Sequence, residues 1–126
     1  MRQCICEVLR KDPPIEISDS LTVDESGVSI AGVSLQLGET FHVAIKHMHH
    51  DPTEWKEPAA FIPDRFDPES HYWRQPGGKA AGEFADKRNP FAYNPFGGGQ
   101  RTCLGKTLSE SILKLSLPVI YHHYNF

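Results

Sequence analysis

A single cysteine lies in a glycine-rich stretch of this chain, immediately before a segment with helical periodicity. The stretch, residues 96–105, has the sequence Phe-Gly-Gly-Gly-Gln-Arg-Thr-Cys-Leu-Gly. Beyond it, apolar residues recur at helical spacing, at Leu108, Ile112, Leu115 and Val119. Metals bind the thiolate form of cysteine, which cationic groups and helix N-termini favour. Because Arg101 precedes it and a predicted helix follows it, Cys103 is predicted to be a metal-bound thiolate.

The residues around Cys103 suit a flat cofactor that carries negative charge. Three consecutive glycines, residues 97–99, permit positive φ and let the backbone approach a flat ligand closely. Arg101 is a forked donor that matches a carboxylate such as a haem propionate. A haem group whose iron is bound by the Cys103 thiolate accounts for all of these residue types.

The same stretch resembles the haem-binding signature of the cytochrome P-450 family, Phe-x-x-Gly-x-Arg-x-Cys-x-Gly. Every fixed position of the signature is matched, by Phe96, Gly99, Arg101, Cys103 and Gly105. The resemblance implies that these residues bind haem b and that Cys103 is the axial ligand of its iron.

Two further segments resemble motifs of that family and occur in the expected order. Glu7-Val8-Leu9-Arg10 resembles its Glu-x-x-Arg helix, and Pro63-Asp64-Arg65-Phe66 resembles its Pro-Glu-Arg-Phe segment, with aspartate in place of glutamate. The resemblance implies a buried ionic network of Glu7, Arg10 and Arg65. Buried ion pairs barely repay their desolvation, so an orienting role is expected more than a stabilising one.

The resemblance also implies a fold and an activity. The fold class is α+β, mainly helical in the parent fold, and residues 1–126 are expected to form the C-terminal, haem-proximal part of a cytochrome P-450 domain. Its order is a helix, a small β-sheet, a meander, the cysteine loop and a proximal helix. The intact enzyme would be a haem-thiolate monooxygenase that inserts one O2-derived oxygen atom into a small apolar organic substrate, with electrons from a reductase.

Other parts of the family's fold are expected to lie outside this chain. The oxygen-activating helix, with its acid-alcohol pair, precedes the Glu-x-x-Arg helix in the family, so no catalytic residue is assigned here and the isolated chain is expected to be inactive. A membrane anchor at the endoplasmic reticulum would likewise precede Met1. Three cysteines and no visible secretory signal favour a reducing intracellular compartment.

Two other functions remain open from the sequence. The chain is alternatively a non-catalytic remnant or partial gene product with weak or no haem binding. A P-loop-like nucleotide binder is the third possibility, because residues 100–107 match Gly-x-x-x-x-Gly-Lys-Thr except at the first position, where Gln100 stands. The preceding Asn94–Gly98 segment contains proline and glycines and is not expected to be the buried strand that a P-loop follows.

Composition describes an ordinary globular chain of 126 residues, with 39% hydrophobic residues and a net charge of −3. No basic cluster suggests nucleic-acid binding, and no apolar run is long enough to span a membrane. Cys4 and Cys6 are two positions apart on a predicted helix and point in different directions, which argues against a shared metal. The group His47, His49, His50 and Asp51 superficially resembles a metal cluster, but surface histidines are predicted.

The pattern along the chain predicts the remaining elements. A helix should reach about Lys11, where two prolines stop it. A β-hairpin is predicted over residues 28–37 with its turn at Ala31-Gly32, and a strand over Phe41–Ile45. Asp51-Pro52 should open a short helix that contains Trp55. Residues 68–95 should form a long loop, and Pro118 should end or kink the last helix near Leu117.

Overall fold

The described part of the chain combines four helices with two small antiparallel sheets. The computed structural model describes residues 1–30, 32–74 and 89–124, without the side chains of residues 73 and 74. The helices in this part of the chain are α1 (Arg2–Lys11), α2 (Ile45–His49), α3 (His71–Arg74) and α4 (Lys106–His123). The strands are β1 (Leu21–Thr22), β2 (Ser29–Ile30), β3 (Val33–Ser34) and β4 (Thr40–Phe41). Short 3-10 turns cover Pro63–Phe66, Pro90–Ala92 and Gly99–Arg101.

Helix α1 ends where the sequence predicts. Its last turn closes with the Asp12 N–H donating to the Val8 carbonyl oxygen at 2.8 Å, and the buried Pro13 follows. Ile5 and Leu9, four positions apart, form its buried apolar side. Glu7 and Arg10 are buried on the same helix, which is unusual for charged residues. The helix therefore carries a charged pair into the interior of the protein.

The two sheets have two strands each. Strand β1 pairs with β4, with Leu21 opposite Phe41, and β2 pairs with β3, with Ser29 opposite Ser34. The second pair is the predicted hairpin, although its strands are shorter than the apolar alternation suggests; Ala31 of its turn lies outside the described residues. Gly32 has φ of +80°, a conformation that glycine adopts without strain.

Two predicted elements are wrong. The strand predicted over Phe41–Ile45 stops at Phe41, and Ile45 instead begins helix α2, where its side chain is buried. The helix predicted from Asp51 is a series of turns. The Asp51 side chain accepts the Thr53 N–H at 2.8 Å, and the one helical bond, from the Trp55 N–H to the Asp51 carbonyl oxygen, is not continued by the residues that follow. Such local side-chain bonds favour turns over a continuing helix.

The loop predicted over residues 68–95 is interrupted by short helical segments. Helix α3 and the 3-10 turn Pro90–Ala92 lie within it, and residues 75–88 of the predicted loop are outside the described part of the chain.

The buried interior is small and contains many polar groups. Its apolar members are Ile5, Leu9, Val23, Ile45, Trp55 and Ala92. The largest fully buried side chains are Trp55, Arg10, Arg65, His49 and Glu7. Four of those five are polar or charged, so the centre of this structure depends on hydrogen bonds and ion pairs as much as on apolar packing.

Helix α4 is long and exposed. None of its 18 residues is buried, although many of its side chains are apolar. Pro118 is predicted to end or kink this helix, and the first alternative is wrong, because the helix continues to His123. Proline has no N–H, so Pro118 leaves the carbonyl oxygen four residues earlier without its helical partner. Because Pro118 and this part of the helix are exposed, water can bind that oxygen instead. No helix within the described ranges combines the length and apolarity that a membrane span requires.

Candidate functional site

The loop that carries Cys103 is closed by its own backbone. The Cys103 N–H donates to the Phe96 carbonyl oxygen at 2.9 Å, so the two ends of the loop are joined. Inside it, the Thr102 N–H and hydroxyl both donate to the Gly99 carbonyl oxygen. The Lys106 N–H, at the first residue of α4, donates to the Cys103 carbonyl oxygen at 3.3 Å. Cys103 therefore lies just before the N-terminus of α4, in a loop with fixed ends.

Glycine is required at two positions of this loop. Gly97 has φ of +70° and Gly99 has φ of +62°, both in the left-handed region that side chains disfavour. Gly98 between them is extended, with φ of −145°. A β-carbon at Gly105 would lie 3.8 Å from the Cys103 sulfur, which is ordinary van der Waals contact, so Gly105 is directly beside the thiol.

The chemistry that this loop exposes fits a haem group. Cys103 is a free, exposed cysteine, and Arg101 is exposed at the end of the 3-10 turn that precedes it. Leu104, Leu108 and Ile112 follow at intervals of four and are all exposed. A soft sulfur ligand, a donor for carboxylates and adjacent uncovered apolar side chains are what an iron porphyrin with propionates requires. The residues present therefore fit the cofactor that the sequence predicts.

The carboxylate of Glu7 lies at the centre of a buried ionic network. Arg10 Nε donates to Glu7 Oε2 at 2.8 Å, and Arg10 Nη2 donates to Oε1 at 2.9 Å, which is a bidentate pair. Arg65 Nε donates to Oε1 at 3.2 Å from the other side. The Ile62 N–H also donates to Oε1, at 2.9 Å. The exposed fraction is 0% for Glu7 and Arg10 and 1% for Arg65.

Backbone carbonyl groups hold the two arginines of the network. Arg10 donates from Nη1 to the His49 oxygen at 2.8 Å and from Nη2 to the Ala60 oxygen at 3.2 Å. Arg65 donates to the carbonyl oxygens of Lys56 and Glu57. Two guanidinium groups and one carboxylate leave an excess positive charge, and these oxygens supply the negative ends of dipoles that partly compensate for it.

Burial affects the ionisation of Arg65. The pKa of Arg65 is lowered from its ordinary value, chiefly because burial disfavours the cation, while the Glu7 carboxylate acts in the opposite direction.

Glu57, which provides one of the carbonyl oxygens, has φ of +52°. That conformation is strained for a residue other than glycine. Here it accompanies a 2.7 Å hydrogen bond from Arg65 Nη2 to the Glu57 carbonyl oxygen.

His49 is fully buried, so the prediction of surface histidines is wrong at this position. Its Nε2 accepts the Asn94 N–H at 2.9 Å, and its ring stacks on Tyr93 with 5.4 Å between ring centroids. Burial lowers the pKa of His49 to about 4, so the ring is neutral at pH 7. Sequence spacing cannot reveal that His49 is buried, because nothing in the local pattern distinguishes it from the other three polar residues of the cluster.

The other members of that cluster have separate surroundings. His47 is exposed, and the Nδ1 of His50 lies 2.8 Å from the Lys46 carbonyl oxygen. The Asp51 carboxylate accepts hydrogen bonds from Thr53. Within residues 1–30, 32–74 and 89–124, no group of three or more histidine, cysteine, aspartate or glutamate side chains is arranged to hold a metal. Cys4 is exposed and Cys6 is half-buried on α1, and both are free.

A second residue that the sequence does not single out, Trp55, completes the network. It is 1% exposed, and its Nε1–H donates to the Met48 carbonyl oxygen at 3.2 Å. The Arg10 guanidinium carbon lies 5.2 Å from the centre of its ring, within the range of a cation–π interaction. The ring thus covers the charged pair from water.

The segment before the cysteine loop is not a strand. Asn94–Gly98 contains a turn, and all four strands of the described chain lie between Leu21 and Phe41. A P-loop follows a buried strand directly, so the predicted absence of a strand here is confirmed and the structural context of a nucleotide-binding loop is not present.

Comparisons with known sequences agree along the whole chain. The family model described as Cytochrome P450 matches residues 1–126. Thromboxane-A synthase of Mus musculus is 31% identical over 123 residues, which cover 97% of this chain and 20% of the relative. Cytochrome P450 4X1 of Mus musculus is 32% identical over an alignment 126 residues long, which covers 96% of this chain and 21% of the relative. The chain thus spans about a fifth of the length of these curated relatives.

Solved structures give the same result for the fold. The retinoic acid-bound cyanobacterial CYP120A1 is similar with a TM-score of 0.76 and 30% identity, over 94% of this chain and 24% of that one. The haem domain of cytochrome P450DA is similar with a TM-score of 0.73 and 27% identity, over 94% and 23% respectively. The predicted fold, a C-terminal portion of the cytochrome P-450 fold with helices and small sheets, is therefore confirmed. Because the family model covers every residue and both kinds of comparison agree with it, the chain belongs to the cytochrome P450 family.

Proposed function

We propose that this chain forms the thiolate side of the haem pocket of a monooxygenase, with Cys103 Sγ as the axial ligand. Haem b is the cofactor of the cytochrome P450 family. The observation that carries the proposal is the exposed Cys103 thiol in a loop whose backbone is closed by the Phe96 carbonyl and shaped by left-handed Gly97 and Gly99. A fixed loop holds the sulfur in one place, so the ligand is positioned before the cofactor arrives.

The chain's own residues have distinct tasks in this proposal. Arg101 would donate hydrogen bonds to a propionate, and Gly105, which has no side chain, would leave the space beside the sulfur open to the porphyrin. Glu7, Arg10 and Arg65 fix α1 against the Pro63–Phe66 turn and so set the frame from which the cysteine loop extends. When bound, haem supplies the oxygen chemistry, and a thiolate ligand favours cleavage of the O–O bond.

The remaining features of the whole enzyme are proposed from family membership. Residues 1–126 would be the haem-proximal part of one domain, the substrate a small apolar organic molecule, and the electron donor a reductase. A reducing compartment suits the three free cysteines, because a disulfide at Cys103 would remove the ligand. We expect no turnover from the 126 residues alone, since one wall of a pocket does not exclude water.

The test is an absorption spectrum of the chain after haem reconstitution, reduction and treatment with carbon monoxide. The wild-type chain and Cys103→Ser should differ, with the Soret band typical of a thiolate ligand present only in the wild type. Cys4→Ser is the matched control, because Cys4 is also exposed and free but lies on α1. A thiolate-type band that persists in Cys103→Ser would exclude Cys103 as the ligand. A wild-type chain without this band would favour the non-catalytic remnant.

A further inference from the structure

His49 connects the ionic network to the segment that leads into the cysteine loop. Its backbone oxygen accepts a hydrogen bond from Arg10 Nη1, and its ring nitrogen Nε2 accepts one from the Asn94 N–H. The two bonds are 2.8 Å and 2.9 Å long, and the residue is 0% exposed. One buried residue therefore contacts both α1 and the chain that precedes Cys103.

The Asn94 bond determines where the imidazole carries its proton. A backbone N–H is only a donor, so Nε2 must be the unprotonated nitrogen and the neutral ring must carry its proton on Nδ1. Nδ1 is buried and has no hydrogen-bond partner among the residues that the structure describes. An unsatisfied buried donor is costly, so hydrogen bonding at Nδ1 does not account for the orientation of the ring. The bond at Nε2 is the polar interaction that this orientation preserves.

Asn94 leads directly to the residues that close the cysteine loop. Its carbonyl oxygen accepts the Gly97 N–H at 3.3 Å, which forms the turn over Pro95 and Phe96. A β-carbon at Gly98 would lie 3.5 Å from the Asn94 side chain, so these residues are in close contact. Phe96, two residues after Asn94, provides the carbonyl oxygen that accepts the Cys103 N–H. A displacement of Asn94 would therefore reach the backbone beside the thiol.

We propose that His49 is a positioning residue for the cysteine loop, which it holds by accepting the Asn94 N–H at Nε2. The inference rests on the proposed function only in that Cys103 is taken as the haem ligand. Through the His49 backbone, the same residue fixes the loop relative to Glu7 and Arg10. The ionic network then affects the thiol through a defined route, from Arg10 to His49 to Asn94.

A packing role alone would make a different prediction. Stacking on Tyr93 needs only a flat ring of suitable size, which phenylalanine supplies without an acceptor. A positioning role needs an acceptor at Nε2, which the side-chain oxygen of glutamine can supply at a similar reach. His49→Phe and His49→Gln therefore separate the two roles. His47→Phe is the matched control, because His47 is exposed and two residues away.

The first measurement uses the unaltered, haem-free chain. Nitrogen-15 NMR of the imidazole at pH 7 distinguishes a neutral ring protonated on Nδ1 from one protonated on Nε2. We expect His49 to carry its proton on Nδ1, with a scalar coupling across the bond between the Asn94 N–H and Nε2. A proton on Nε2 would overturn the proposal, because that nitrogen would then be a donor.

The second measurement is amide hydrogen exchange in the variants. In His49→Phe we expect exchange at Asn94 and Cys103 to accelerate about tenfold, the factor that corresponds to losing one hydrogen bond. Leu9, inside α1, should exchange at the wild-type rate, and His49→Gln and His47→Phe should resemble the wild type. Unchanged exchange at Asn94 and Cys103 in His49→Phe would refute the proposal. If His49→Phe does not fold, the tautomer measured in the unaltered chain decides the question.

Neither measurement requires haem, so the two proposals fail separately. If Cys103→Ser retains a thiolate-type spectrum, the proposed function is wrong while the Asn94 bond to His49 stands. If the His49 ring is protonated on Nε2, the positioning role is wrong and the assignment of Cys103 is untouched. After reconstitution, we expect His49→Phe to broaden or weaken the thiolate-type band and His49→Gln to retain it.

Discussion

The Arg10 guanidinium donates from Nη1 to the backbone oxygen of His49, the last residue of α2, across 2.8 Å. The final carbonyl groups of a helix have no partner within the helix, and a cation at that end also complements the helix dipole. Arg10 therefore satisfies the end of a five-residue helix that would not be stable in isolation. The ion pair with Glu7 fixes the guanidinium in the orientation that this requires.

Replacing Arg10 with alanine should damage the fold and prevent haem uptake. The change leaves the Glu7 carboxylate buried with one guanidinium instead of two and removes the partners of His49 and Ala60. The expected loss is about 3–5 kcal/mol of unfolding free energy, which urea denaturation measures. Arg2→Ala is the matched control, because Arg2 is exposed on the same helix and should change stability by less than about 0.5 kcal/mol. Equal losses in the two variants would contradict the role of the network.

Alanine at two of the three consecutive glycines should distinguish the cost of backbone strain from the cost of added side-chain volume. Gly99→Ala places a side chain at φ of +62° and should cost about 1–2 kcal/mol. Gly98→Ala is the control, because its backbone is extended and its new β-carbon would meet the Asn94 side chain at an ordinary 3.5 Å. Thermal unfolding and haem uptake should both show the difference. Equal behaviour of the two variants would show that the left-handed backbone is not required.

Stability should fall on acidification partly because of His49. Burial lowers its pKa from 6.5 to about 4, so between these values the unfolded state binds the proton and the folded state does not. The contribution of the neutral His49 ring to the free energy of unfolding is complete above about pH 6.5 and is lost as the pH falls through 4. The change is about 3 kcal/mol for this group. Arg10 and His50, the charged and titratable neighbours that act on the ring, both oppose its protonation.

Urea unfolding at several pH values measures this effect. As the pH is lowered from 7 towards 4, the wild type should lose more unfolding free energy than His49→Gln, which has no imidazole to protonate. His47→Gln should leave the pH dependence of the wild type unchanged, because His47 is exposed. A pH-independent difference for His49→Gln would show that the ring does not titrate as described.

Helix α4 should bind apolar dyes in the isolated chain. The exposed fraction is 66% for Leu108 and 72% for Leu115, and Leu104 is fully exposed. An anilinonaphthalene sulfonate probe should fluoresce with the wild type and less with the Leu108→Gln, Leu115→Gln double variant. Ser111→Gln, at another exposed position of α4, is the control and should leave the fluorescence unchanged. Equal fluorescence of all three proteins would place the dye elsewhere.

Long periodic segments could be predicted from the sequence, and short ones could not. Helices α1 and α4 have enough apolar positions at helical spacing to be distinguished from other structures, although α4 begins at Lys106 and passes Pro118. Helix α2 has only five residues, and Ile45 suits the end of a strand equally well by pattern. Its helical state depends on tertiary contacts, among them the Arg10 bond to its last carbonyl oxygen.

The motifs predicted the three members of the ionic network, but not the backbone groups that hold them. Spacing places Glu7 and Arg10 on one helix face, and family resemblance adds Arg65. The carbonyl oxygens of Lys56 and Glu57 have no signature in the sequence, because every residue has the same backbone oxygen whatever its side chain. The burial of His49 depends on Tyr93 and Asn94, more than forty positions away, and local patterns do not carry such information.

The partners of the Glu7 carboxylate also constrain when α1 is able to dock during synthesis. Arg10 emerges from the ribosome almost at once, but Ile62 and Arg65 follow Glu7 by 55 and 58 positions. Until then, burying α1 would strand a carboxylate short of two of its donors, on top of the entropy of closing a long loop. We therefore expect both small sheets and α2 to be made before α1 takes its final place, which makes its docking a late, high-contact-order step of folding.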